Sequence, residues 1–87
     1  MTPTDIQRLI EDGIPGSRAQ VRGDDGVHFE ASVVSPAFRD LNPLQRHRLV
    51  YQSLGRSMES AIHALSIETL TPEEQDARLL SRGGGVE

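Results

Sequence analysis

No cysteine occurs among the 87 residues, and that absence removes several kinds of protein at once. There can be no disulfide framework, no tetrahedral thiolate zinc site and no iron–sulfur cluster held by this chain's own sulfur, so metal chemistry of that kind has to be shared with another molecule. Tryptophan is missing too, and Phe29, Phe38 and Tyr51 are the whole aromatic inventory, 3% of the chain. With apolar residues at 36%, the core has to be built mainly from aliphatic side chains. Lysine is also absent: all nine basic residues are arginine, the side chain suited to bidentate anion contacts. They are outnumbered by 13 acidic residues, and a net charge of -4 with pI near 5.3 gives a whole-molecule field that repels phosphate. Nucleic-acid binding would need a local basic patch against that background. No apolar run approaches the roughly 18 residues a membrane span requires. The start, Met1-Thr2-Pro3-Thr4-Asp5, has neither the basic stretch nor the apolar run of a secretory signal, so the expected location is the cytoplasm, without membrane attachment.

A chain of this length suits one small domain, expected over residues 1–80, that buries only about 60 to 65% of its unfolded surface. Thr2 can cap a helix over residues 3–12, with Pro3 at its first position, Asp5 near the positive end of the dipole and Ile6, Leu9 and Ile10 on one face. Gly13 and Ile14-Pro15-Gly16 end it, glycine by accepting a left-handed cap and proline by breaking the hydrogen-bond ladder. Arg18–Arg22 and Val27–Val33 alternate apolar and polar residues about the turn Gly23-Asp24-Asp25-Gly26, which predicts a hairpin with Ala19, Val21, Phe29, Ala31 and Val33 facing inward. His28 and Glu30 then face outward, close to the turn. A second helix is expected over residues 43–61, with Leu44, His47, Val50, Tyr51, Leu54, Met58 and Ala61 on its buried side and Leu49 outside. Gly55 marks a bend or a close approach within it. Residues 64–69 alternate as a third strand, and Thr71-Pro72-Glu73-Glu74 opens a last helix to about Leu80 with the spacing of a capping box. Residues 81–87, with three consecutive glycines, are expected to form a disordered tail. The order is α-β-β-α-β-α, an α+β domain in which a three-stranded sheet carries its helices on one face.

His63 lies where the second helix gives way to the third strand. Its ring can bond a carbonyl and fix that junction, or it can complete a metal's coordination shell. His28 has the same two readings, as a solvated strand residue or as a ligand. His47 falls within the apolar stripe of the long helix and is assigned a structural role, neutral and satisfied by one hydrogen bond. Gly23-Asp24-Asp25-Gly26 spells the loop with which KH modules clamp nucleotides, but it would aim two aspartates at phosphate and it joins strands rather than helices, so a hairpin turn accounts for it better. No nucleophile elbow, P-loop, dinucleotide fingerprint or His-Glu-x-x-His helix is present, so an enzyme is not expected.

Phe38, the run Leu44-Gln45-Arg46-His47-Arg48-Leu49-Val50-Tyr51, then Ile62-His63-Ala64-Leu65-Ser66-Ile67 and Thr71-Pro72-Glu73-Glu74 together resemble the BolA family, over about residues 3–80. The resemblance implies a fold of the class II KH type and a stress-linked role in iron–sulfur cluster trafficking or iron and redox regulation. It implies pairing with a monothiol glutaredoxin around a 2Fe-2S cluster, with sulfur ligands from a glutaredoxin cysteine and from glutathione. His63, in the Ile-His-Ala-Leu motif, is then implied as an iron ligand, and Asp25-Gly26-Val27-His28-Phe29 resembles the histidine-bearing hairpin that supplies the second, His28. The alternative within the family is a DNA-binding transcriptional regulator, for which Arg22, Arg46, Arg48 and Arg56 are the candidate contacts. A third is an adaptor without metal, recruiting a partner through a helix and a sheet edge.

Overall fold

The computed structural model describes residues 2–23, 25, 27–58 and 64–84, and of residues 57, 58 and 81–84 the backbone alone. The elements follow in the expected order: α1 (Pro3–Gly13), β1 (Arg18–Arg22), β2 (Phe29–Val34), α2 (Pro43–Leu54), β3 (Leu65–Leu70) and α3 (Pro72–Gly84), with short 3-10 turns at Pro36–Phe38 and Gly55–Met58.

Each helix begins with the same chemistry. Thr2 and Asp5, Asn42 and Gln45, and Thr71 and Glu74 form reciprocal capping boxes, in each of which a side chain takes up an orphan amide of the first turn and is answered in kind. A proline follows every cap, where its missing N–H costs nothing.

The strands run in the order β1-β2-β3. β1 and β2 are antiparallel, with Ala19 opposite Val33 and Val21 opposite Ala31. β2 and β3 are parallel, with Phe29 beside Leu65 and Val33 beside Thr69. A parallel pair needs a long crossover, which the segment containing α2 supplies. Period-two alternation therefore sends Ala19, Phe29, Ala31, Val33 and Leu65 to one face, where they meet Ile6 and Ile10 of α1 and Val50 and Leu54 of α2 around the fully buried Phe38. Buried Ser35 ties three segments together: its N–H bonds Leu70 O, its hydroxyl donates to Pro15 O, and it accepts from Ala37 N.

Several expectations change. The long helix stops at Leu54 instead of residue 61, because Gly55 takes φ 59° and ψ -152°, a region that side-chain-bearing residues scarcely enter. A Cβ at Gly55 would meet nothing within 4 Å, so backbone conformation and not close approach is its role. Gly13 is the reverse case. It is the last residue of α1, the positive φ falls on Gly16 instead, and a Cβ at Gly13 would lie 2.6 Å from Ser53 Cβ where α1 crosses α2. On α2, Val50 and Leu54 are buried as expected, but Leu44 is 61% exposed and Leu49, expected outside, packs against the core. His47 is half-buried on that helix, with no hydrogen bond from its ring to any described residue. Met58 and Ala61, also assigned to that side, fall outside the described side chains. The last antiparallel pair is Arg22 with Glu30, so the connection between β1 and β2 is longer than a four-residue turn. The helix opened by Thr71 runs on to Gly84, past the expected end at Leu80.

Helices on one face describes α1 and α2 only. With the apolar side already filled by those two, α3 reaches the opposite, polar side of the sheet. Ser32 and Glu68 project there, bonded to each other at 3.3 Å, and Arg78 of α3 closes on Glu68 at 2.8 Å. Every described side chain from Glu73 to Leu80 is exposed.

Candidate functional site

Just after β1 the chain runs close against the start of β2. Gly23 lies so close to the strand that a Cβ on it would stand 2.6 Å from Phe29 Cδ1 and 2.8 Å from the His28 carbonyl oxygen. Beyond it, Asp25 organises the loop. Its Oδ1 accepts from the backbone N–H of Val27 at 2.9 Å and of His28 at 2.8 Å, an Asx-type turn, while Oδ2 lies 2.8 Å from His28 Nδ1. The bond from the His28 ring, with those two amides behind it, holds the Asp25 carboxyl far below the usual carboxylate range. The His28 side chain is 75% exposed, as its outward place in the alternation predicts. Arg22, Gly23, Asp25, His28 and Glu30 line a shallow depression around it.

His63 lies outside the described residues. Its neighbour two positions on, Leu65, is the residue beside Phe29 in the parallel pair, so the chain enters β3 at the end of the sheet where it enters β2. Among the described residues no three His, Cys, Asp or Glu side chains come together as a metal site. An exposed imidazole oriented by a carboxylate is a donor that can add one ligand to a metal held mainly by other molecules.

The four arginines separate. Arg46 is only 13% exposed and is used up inside the fold: its guanidinium bonds both oxygens of Glu74, its Nε donates to Leu41 O at 2.9 Å, and its Cζ stands 6.0 Å from the Phe38 ring centroid. That is a correction to its place among the phosphate contacts. A guanidinium with its donors already engaged on carboxylate and carbonyl has little left for phosphate. Arg22 is exposed on the polar face of the sheet, whereas Arg48 and Arg56 are exposed on α2 and the turn after it, on the covered side. The described geometry gives no single basic face.

Asp25 and Arg46 are the two residues whose roles sequence reasoning missed. For Asp25 a signal exists, since Asp-x-x-His across a turn is the spacing at which an Asx turn returns the carboxylate to the ring. For Arg46 none does: Glu74 is 28 residues away.

Residues 13–74 match the family model described as BolA-like protein. The chain belongs to the BolA-like family. A solved bolA protein homologue from Coxiella burnetii is 49% identical with a TM-score of 0.77, covering 87% of this chain and 97% of that one. BolA-like protein 1 of Bos taurus is 47% identical over 78 residues, 79% of this chain and 58% of that protein. The DNA-binding transcriptional regulator BolA of Vibrio cholerae is 47% identical over 53 residues, 61% of this chain and 49% of that protein. This BolA-like chain spans about half the length of the curated relatives it matches. Among its described residues no helix is long and apolar enough to cross a membrane.

Proposed function

We propose that this BolA-like chain partners a monothiol glutaredoxin and lends imidazole, from His63 and His28, to a 2Fe-2S cluster whose sulfur ligands come from the glutaredoxin and glutathione. The observation that carries the reading is His28 itself: an exposed ring, oriented by Asp25, at the end of the parallel pair from which β3 also starts. A chain without cysteine has imidazole and carboxylate to offer iron, and neutral imidazole in place of thiolate lowers the negative charge around a cluster, which raises its reduction potential and makes ligation sensitive to pH. A cluster so bound is cargo or signal, suited to trafficking or to iron and redox regulation. The test is to titrate the chain into cluster-loaded monothiol glutaredoxin and record visible circular dichroism. The wild-type chain gives a new spectrum, His63→Ala loses it and His28→Ala weakens or alters it. Identical spectra for the wild type and both variants remove the ligand assignment.

A second reading, direct DNA binding, draws on the name of the Vibrio cholerae relative and on exposed Arg22, Arg48 and Arg56. The net charge of -4 and the division of these arginines between two sides of the sheet weigh against it. A gel-shift series against salt decides: affinity falling steeply with salt supports phosphate contacts, and no binding at about 50 mM salt ends the idea.

A further inference from the structure

Asp25 has two oxygens, and they do different things. Oδ1 serves the backbone, taking the N–H groups of Val27 and His28. An Asx-type turn needs only that one acceptor, and an asparagine supplies it equally well. Oδ2 is not needed for the turn. It is spent on the His28 ring, at 2.8 Å from Nδ1.

The ring is not held by packing, being three-quarters exposed. Among the described residues this is the one hydrogen bond the ring makes. We infer that Asp25 is a positioning residue for His28: it keeps the neutral ring in the Nδ1–H tautomer and turns the Nε2 lone pair outward, as the one nitrogen the side chain offers to an outside metal. The inference rests on the ligand reading above for its purpose, but the geometry behind it is separate.

The chemistry leaves little choice of tautomer. An ionised carboxylate accepts and cannot donate, so a short contact between Oδ2 and Nδ1 requires the hydrogen to be on Nδ1. At about pH 8 an ordinary aspartate is ionised. A neutral imidazole carries one N–H, so placing it on Nδ1 frees Nε2. Carboxylate–imidazole pairs of this kind raise the basicity of metal-bound histidine and fix its direction, and losing the outer partner typically lowers metal affinity about 10- to 100-fold. Among the described residues the other charged groups around the depression are Arg22 and Glu30, one of each sign, and neither bonds the ring.

Asp25→Asn separates the two roles. The amide oxygen still accepts from Val27 and His28, so the loop is retained, but its NH2 faces Nδ1 and makes that nitrogen an acceptor, which moves the ring proton to Nε2. The first measurement needs no cluster: long-range 1H–15N correlation of the free, labelled chain at about pH 8, where an ordinary imidazole is neutral, with His28→Ala to assign the signals. The wild type is expected to show Nδ1–H and Asp25→Asn to show Nε2–H. A wild-type ring protonated on Nε2, or a tautomer unmoved by Asp25→Asn, overturns the inference.

The second measurement uses the glutaredoxin mixture. Asp25→Asn weakens the cluster-bridged complex about 10- to 100-fold, and adds nothing when His28 is already alanine. A further loss in that background means Asp25 acts by another route and also overturns the inference. Failure of the ligand reading looks different. His28→Ala then leaves the visible spectrum unchanged while the tautomer still responds to Asp25→Asn, so the hydrogen-bond assignment stands and the coordination falls.

Discussion

Glu74 shows how much of this fold rests on single side chains. Its carboxyl is pushed down from an ordinary 4.5 to about 2, first by the Arg46 guanidinium and then by the Thr71 N–H it caps. A carboxyl whose folded value is depressed stabilises the fold fully above its unfolded value and loses that contribution as pH falls through the folded one. Stability should therefore decline as pH drops from about 4.5 to about 2, the window set by those two values. Thermal melts across that range check this, and Arg46→Ala should both lower the melting temperature at neutral pH and flatten the acid limb. A profile as steep in Arg46→Ala as in the wild type would assign the acid sensitivity elsewhere. The same arginine lies near the Phe38 ring, so its replacement also removes packing from the most voluminous fully buried side chain.

At the scale of elements, the two glycines that bound the helices constrain them in opposite ways. Gly55 ends α2 through a backbone region closed to other residues, with open space around it. Gly13 has ordinary backbone but no space, since Ser53 of the crossing helix fills it. Gly55→Ala should cost about 1–3 kcal/mol through strain. Gly13→Ala should destabilise by prising α1 from α2, typically by about 1–3 kcal/mol for an overpacked contact. Denaturant titration of a double variant separates the causes: Ser53→Gly should recover part of the loss in Gly13→Ala and none of that in Gly55→Ala. Equal recovery in both would show that the helix crossing is not where Gly13 matters.

Over the whole molecule, stability is distributed unevenly. α1, α2 and the inner face of the sheet share one mainly aliphatic core, whereas among the described residues α3 is attached by a capping box and by the pairs Arg39–Glu73, Arg46–Glu74 and Arg78–Glu68. The Arg39–Glu73 and Arg78–Glu68 pairs are exposed, and such pairs contribute little each and are screened by salt. Hydrogen exchange should therefore show α3 amides exchanging well before those of β2, with roughly 1 M salt hastening α3 selectively. Protection of α3 equal to that of β2, unmoved by salt, would mean that the helix is held by contacts other than these pairs.

Local signals in the sequence were enough for the order of elements, the starts of α1 and α3, and the inward set Ala19, Val21, Phe29, Ala31 and Val33, because caps and alternation are written within a few residues of where they act. The outward place of His28 followed from the same period. What depended on distant partners was not legible. A glycine in a helical pattern gives no sign whether it is needed for its φ or for its size, and Arg46 reads as a free cation until Glu74 is brought beside it. The sequence by itself determined which segments become helix or strand and which donors are available to a metal. The tertiary structure decided that Leu49 and not Leu44 of α2 packs against the core, that α3 reaches the polar side of the sheet, and which arginine is spent within the fold, since each of these is settled by contact between residues far apart in the chain.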